Sequence, residues 1–144
     1  MGPKVLALDL ERTSIDDASR CRPRPGLREF LAYCDDRFER VAIFTTVEEP
    51  DAREAIEGLA LRGYLSSRLL ARLEYVAWSG EYKDLHFVPN AALDDMVLVD
   101  DDAGWIRPDQ KAHWIPIEAW DGGHDNELSR VRSILESLLP GRAL

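Results

Sequence analysis

Acidic and hydroxyl side chains stand where three apolar runs of the sequence end. Asp9 and Glu11 follow the run VLAL, Thr45 follows RVAIF, and a run of three aspartates from Asp100 follows MVLV. A phosphoryl-transfer site needs a carboxylate nucleophile, a proton shuttle, a hydroxyl and a cation for the phosphate, and carboxylates for Mg²⁺. With Lys83, which lies in the polar stretch SGEYKDL, the sequence supplies each of these parts in one chain order.

Each part also has an ordinary structural explanation. An acidic residue after a strand is commonly a turn or helix cap, a threonine there commonly a helix cap, and a lysine in a polar stretch commonly a solvated surface residue. These explanations do not account for several such residues falling at the same kind of strand end. The joint pattern therefore favours a functional site.

Short apolar runs alternate with amphipathic segments along the chain, which indicates an α/β domain with a mainly parallel sheet. Strands are predicted at 4–10, 40–44, 73–78, 96–99 and 114–117, and helices at 26–34, 49–62 and 126–139. Pro116 would place the last strand at a sheet edge, because proline cannot donate to a strand ladder. In such sheets functional residues gather at the carboxyl ends of the strands, where the candidates lie.

Length and composition restrict the class of protein. The 144 residues, 45% of them hydrophobic, fit one domain over 1–144. No apolar run approaches the roughly 20 residues that span a bilayer, and no signal peptide is evident, so a cytoplasmic location is expected. The formal net charge of −9 disfavours a nucleic-acid partner. Cys21 and Cys34 are too few for a disulfide scaffold.

Six segments carry motifs that match a known family in order. They are DLERTS (9–14), RPGLREFL (24–31), AIFTT (42–46), YKDL (82–85), VLVDDD (97–102) and PDQKAHWIPIEAWDG (108–122). The order resembles the haloacid dehalogenase (HAD) superfamily. More closely, the segments resemble DLDETL, RPxxxEFL, VLFTA, YVKDL, IIVDDSP and PDNAVPVASWFD of the NLI-interacting-factor-like family, the small phosphatases that act on the RNA polymerase II C-terminal domain. The resemblance implies a Rossmann-like three-layer sandwich without a large cap domain.

The resemblance also implies an Mg²⁺-dependent phosphatase with an aspartyl-phosphate intermediate. Asp9 would be the nucleophile, and Glu11 would be the general acid and base. Asp9, Asp101 and the backbone carbonyl of Glu11 would bind Mg²⁺. Asp100 would orient Lys83 or bind the metal through water.

Hydroxyl and ammonium groups would hold the substrate phosphate in this comparison. Thr45 would hydrogen-bond a phosphoryl oxygen, and Lys83 would neutralise charge on the phosphate and on the nucleophile. Thr13 and Thr46 complete the predicted substrate-binding set, with Thr13 orienting the first motif loop.

Two departures from the family pattern bear on activity. Glu11 replaces the second aspartate of the first motif, and its extra methylene shifts the carboxylate by a distance that can change rates on the order of a hundredfold. The segment between Thr13 and Arg24 is too short for the hairpin that the family commonly carries there. The sequence thus leaves the level of activity open.

Three hypotheses therefore stand beside one another. The first is an active phosphatase on a phosphoprotein or another large substrate that an uncapped site admits. The second is a weak or inactive pseudophosphatase that binds a partner, and Glu11 favours it. The third is a HAD domain that processes nucleic-acid terminal phosphates, supported by the arginine cluster at residues 20–28. The order of the motifs argues against a receiver-type signalling domain, and the oligomeric state stays open.

Overall fold

A computed structural model of the chain describes residues 2–141 and contains five strands and four α-helices. The elements are β1 (Val5–Leu8), α1 (Leu27–Arg37), β2 (Arg40–Ile43), α2 (Glu49–Leu61), α3 (Ser67–Arg72), β3 (Glu74–Tyr75), β4 (Met96–Asp100), β5 (Trp114–Pro116) and α4 (Glu127–Leu138).

The five strands form a single parallel sheet in the order β3-β2-β1-β4-β5. The central strand β1 pairs Leu8 with Ile43 on one side and with Val99 on the other. Strands β1, β2 and β4 therefore end at nearly the same level, and the residues that follow them meet at one edge of the sheet. The predicted Rossmann-like α/β class is confirmed.

The two faces of the sheet are covered differently. Alternate residues of a strand point to opposite faces, so Leu6 and Leu8 pack with the four α-helices, whereas Val5 and Ala7 pack on the other side. That second layer consists of loops and short 3-10 turns, which contribute Leu85 and other apolar residues. Within residues 2–141 the chain forms no large cap over the sheet edge.

The edges of the sheet differ most from the sequence prediction. The predicted strand 73–78 is reduced to the two residues of β3, which pair only with β2. Helix α3 was not predicted; it begins at Ser66, whose hydroxyl accepts a hydrogen bond from the N–H of Leu69. The predicted edge position of Pro116 is confirmed, since β5 pairs only with β4.

The helices of residues 2–141 are short. The longest is α2 with 13 residues, and none has both the length and the apolar character needed to cross a membrane. Cys21 and Cys34 are both free thiols.

Candidate functional site

Two buried aspartates lie side by side at the carboxyl edge of the sheet. Asp9 directly follows β1 and donates its backbone N–H to the carbonyl of Val99 over 3.0 Å, while Asp100 is the last residue of β4. The alternation along each strand turns both side chains toward the face covered by loops, away from the α-helices. The loop layer is therefore the part of the chain that can supply a partner for both carboxylates.

Lys83 is that partner. Its ammonium group donates hydrogen bonds to Oδ1 of Asp9 over 2.9 Å and to Oδ2 of Asp100 over 2.5 Å. At most 5% of any of the three residues is exposed, so the ion pairs are shielded from water and from salt. The backbone N–H of Lys83 donates to the carbonyl of Trp105 over 2.8 Å and fixes the loop that delivers the ammonium group.

The burial of this triad changes its titration. Desolvation raises the pKa of Asp9 and of Asp100 above the usual range of a carboxyl group, while Lys83 opposes the rise. Desolvation alone would lower the pKa of Lys83, but the two carboxylates outweigh it and raise that pKa. Two buried acids thus share one buried cation, and further positive charge from a metal or from Arg12 would favour the ionised form of Asp9.

Two hydroxyl groups hold Asp9 in place. The Thr13 hydroxyl lies 2.9 Å from Oδ2 of Asp9 and 3.2 Å from Oδ1 of Asp101, and Ser14 donates to the carbonyl of Asp9 over 2.9 Å. Thr13 is fully buried, so its hydroxyl is placed to orient two carboxylates rather than to meet a ligand at the surface.

Three carboxylates could hold a metal ion. Asp9, Asp100 and Asp101 each offer an oxygen, and these oxygens lie within 4.8 Å of one another. Mg²⁺ prefers carboxylate and carbonyl oxygens and keeps several waters, so a site with few anionic ligands suits it. Asp101 is the most accessible of the three, and Asp100 is already engaged by Lys83 and by the N–H of Asp102 over 2.9 Å.

Glu11 lies at the mouth of the site with its carboxylate tied to the following loop. One carboxylate oxygen accepts a hydrogen bond from the N–H of Ala18 over 2.7 Å. Glu11 is partly exposed and borders the cavity that contains Asp9 as well as a second groove along α2. The longer side chain of glutamate therefore makes a specific contact in this chain.

The two threonines after β2 take different positions. Thr45 is largely buried; its hydroxyl accepts from the N–H of Val47 over 3.1 Å, and its carbonyl accepts from the indole N–H of Trp78 over 2.8 Å. Thr46 is exposed and borders both the cavity that contains Asp9 and a larger groove beside it. Of the two, Thr46 has the more direct access to the cavity, which Thr45 does not border.

A cavity of about 140 Å³ joins these side chains and opens to solvent. It is bordered by five acidic residues, two basic residues and two others: Asp9, Glu11, Arg12, Thr46, Lys83, Asp100, Asp101, Asp102 and Trp105. Such a volume accommodates a phosphoryl group, and the rest of a substrate would extend outward.

One structural residue of the site was not recognised in the sequence. Arg24 is 1% exposed, and its guanidinium donates to the carbonyls of Arg12 and Thr13 over 3.2 Å each and to Asp125 over 2.7 and 2.9 Å. It thereby ties the loop that carries Glu11 to a distant part of the chain. Asp125 lies 101 residues away, so no local sequence pattern signals the pairing.

The rest of the arginine cluster is also engaged with the protein. Arg22 pairs with Asp16 over 2.5 Å, Arg20 approaches Asp17 to 3.8 Å, and Arg28 donates to the carbonyl of Gly63 over 3.0 Å. The loop itself is compact. Ile15 bridges to both Glu11 and Pro23, which replaces the predicted missing hairpin by a tight turn.

A Rossmann-like sheet that presents a buried aspartate, a lysine and paired acids at its carboxyl edge is the arrangement of the HAD superfamily. The chain belongs to the NLI interacting factor-like phosphatase family of that superfamily, whose family model matches residues 4–143. The family predicted from the sequence motifs is confirmed, and with it the HAD-type phosphatase class of hydrolase. A comparison with curated proteins found no match.

Proposed function

We propose that the chain is an Mg²⁺-dependent phosphomonoesterase that acts through an aspartyl-phosphate at Asp9. The observation that carries the proposal is the buried contact of Asp9 with Lys83, beside the three carboxylates that could hold a cation. An uncharged environment would keep so buried a carboxyl group protonated and poorly nucleophilic. Lys83 supplies one of the positive charges that favour the ionised form.

In the first half of the proposed reaction, a carboxylate oxygen of Asp9 attacks phosphorus and the bond to the leaving oxygen breaks. Lys83 and Thr13 restrict the rotation of the Asp9 carboxylate, which holds the nucleophile in one orientation before the substrate arrives. Glu11 donates a proton to the leaving oxygen. In the second half Glu11 accepts a proton from the water that attacks phosphorus, and Asp9 is released together with inorganic phosphate.

Asp9, Asp101 and the Glu11 carbonyl would hold the Mg²⁺, with Asp100 positioned by Lys83. When bound, the ion would neutralise charge on the phosphoryl oxygens and on Asp9.

Asp101→Ala tests the proposed metal site. The loss of an anionic ligand should raise the Mg²⁺ concentration that gives half-maximal phosphate release from an aryl phosphate at least about tenfold. Asp94→Ala is the control, since that side chain is 98% exposed at the other end of β4. Equal Mg²⁺ requirements in wild type and Asp101→Ala would remove Asp101 from the metal site. Turnover that persists after complete chelation of divalent metal would contradict the proposed metal dependence itself.

Glu11→Gln tests the proposed proton transfer. Glutamine keeps the length of the side chain but cannot exchange a proton near neutral pH, so hydrolysis of an alkyl phosphate should slow by about 10²- to 10⁴-fold. An aryl phosphate, whose leaving group needs less protonation, should lose less in its phosphorylation step. Equal losses with both substrates at that step would argue against Glu11 as the acid.

Glu11→Asp separates a site adapted to glutamate from a degenerate one. The contact of Glu11 with the N–H of Ala18 indicates adaptation, because a shorter side chain cannot keep this contact and also reach the same point. Glu11→Asp should therefore lose activity. A gain would indicate that glutamate is a defect. If wild type, Glu11→Asp and Glu11→Gln all release phosphate no faster than Asp9→Asn, the pseudophosphatase hypothesis leads.

The proposed substrate is a phosphorylated macromolecule, foremost a phosphoprotein. The absence of a large cap over residues 2–141 leaves the cavity open to a bulky substrate, which supports this part of the proposal. The nucleic-acid hypothesis rested on the arginine cluster. Since Arg22, Arg24 and Arg28 bind groups of the chain itself, that hypothesis loses the feature that supported it.

A further inference from the structure

Arg12 is the one arginine of residues 2–141 for which no partner exists in the protein. Every other arginine in this range makes an ion pair, a hydrogen bond or a contact with an aromatic ring, whereas the guanidinium of Arg12 makes none. Arg12 is exposed and borders the cavity that contains Asp9. A free guanidinium is thus held beside the proposed nucleophile.

The backbone of Arg12 is firmly fixed although its side chain is free. Its N–H donates to the carbonyls of Ile15 and Asp16 over 2.6 and 3.2 Å, and its carbonyl accepts from Trp120 over 2.9 Å and from Arg24 over 3.2 Å. Its φ of 63° lies in the left-handed region, which is uncommon for a residue with a side chain. The fold therefore places this residue at the cavity in a defined position, and residues held in such conformations are concentrated at functional sites.

The charge of the cavity requires such a cation. Five acidic residues and two basic residues border it, and one of the two basic residues, Lys83, is already bound by Asp9 and Asp100. A phosphate dianion that enters the cavity meets a surplus of negative charge. Arg12 is the remaining cation of the lining, and a guanidinium binds phosphate oxygens through two parallel N–H donors.

We propose that Arg12 binds the phosphoryl dianion of the substrate at the mouth of the cavity and sets the affinity of the site for phosphate monoesters. The inference rests on the phosphatase function proposed above. Arg12 contributes binding and charge compensation, while proton transfer and nucleophilic attack belong to Glu11 and Asp9. Its loss should therefore affect KM and leave kcat nearly unchanged.

The test compares Arg12→Gln with Arg20→Gln in steady-state hydrolysis of an aryl phosphate with Mg²⁺. Arg20 is the matched control, because it lies on the same loop, is exposed and does not border the cavity. Arg12→Gln should raise KM by roughly ten- to a hundredfold, as expected for the loss of a charge-assisted hydrogen bond, with kcat within about threefold of wild type. Arg12→Lys, which keeps the charge without the paired donors, should recover part of the loss.

Calorimetric titration with inorganic phosphate in the presence of Mg²⁺ provides a readout that needs no turnover. The dissociation constant of phosphate should rise in Arg12→Gln by about the same factor as KM and stay unchanged in Arg20→Gln. Arg12→Gly should show the same loss while it melts close to wild type, since glycine adopts a φ of 63° without strain.

The two proposals can fail separately. Phosphate binding that depends on Arg12 in a protein without turnover would support the inference and reject the phosphatase function. Turnover by wild type with the same KM and phosphate affinity in Arg12→Gln would overturn the inference alone. A fall in kcat without a change in KM or phosphate affinity would also overturn it, because the residue would then act on the chemical step.

Discussion

Asp9→Asn should abolish Mg²⁺-dependent phosphate release from an aryl phosphate, with a loss of more than about a thousandfold. Removal of a covalent nucleophile in other hydrolases costs up to about 10⁶ in kcat, and an amide oxygen cannot replace the carboxylate in this role. The fold should persist, because the substitution removes one of two buried acids that share Lys83. The melting temperature without metal is therefore expected to equal or exceed that of wild type.

Two further measurements make this expectation specific. Acid quenching of wild type during turnover should trap phosphate on the protein in a form cleaved by hydroxylamine, as an acyl phosphate is, and Asp9→Asn should trap none. Asp94→Asn makes the same chemical change at the opposite end of β4 and should keep wild-type turnover. Turnover retained in Asp9→Asn, or equal trapping in both proteins, would remove Asp9 as the nucleophile.

The position of the site follows from features that are local in the sequence. The apolar runs that form β1, β2 and β4 are short and continuous, as expected for parallel strands buried on both faces. Adjacent parallel strands end at one edge, so Asp9 and Asp100 had to meet once β1 and β4 were neighbours. The motif order also led to Lys83, which the loop layer brings to both carboxylates.

The remaining features of the site depend on contacts between distant residues. The composition of residues 20–28 suggests a solvated basic surface, yet Arg24 is buried because Asp125 and two loop carbonyls satisfy its donors. The free side chain of Arg12 and the hydrogen bond from Ala18 to Glu11 depend on how the compact loop closes. β3 fell short of its prediction because pairing, not composition, determines how much of an apolar run becomes an edge strand.

Lys83→Met should lower both activity and stability, because it leaves Asp9 and Asp100 buried without their cation. Loss of one member of a buried ion pair costs about 3–5 kcal/mol, and phosphate release should slow by about 10²- to 10⁴-fold as the site loses charge compensation. Lys111→Met removes the same charge from an exposed position and should change neither property measurably.

The destabilisation by Lys83→Met should depend on pH in a defined direction. Burial already raises the pKa of Asp9 and Asp100, and loss of Lys83 would raise both further. A carboxyl group whose pKa is higher in the folded than in the unfolded state binds its proton more tightly when folded. It therefore loses stability as the pH rises from its unfolded pKa, about 4, through its folded pKa. Chemical denaturation with metal removed should show a larger deficit relative to wild type at pH 8 than at pH 5. A deficit that is constant between these values, or larger at pH 5, would contradict the assignment of Lys83 as the counter-ion of two ionised aspartates.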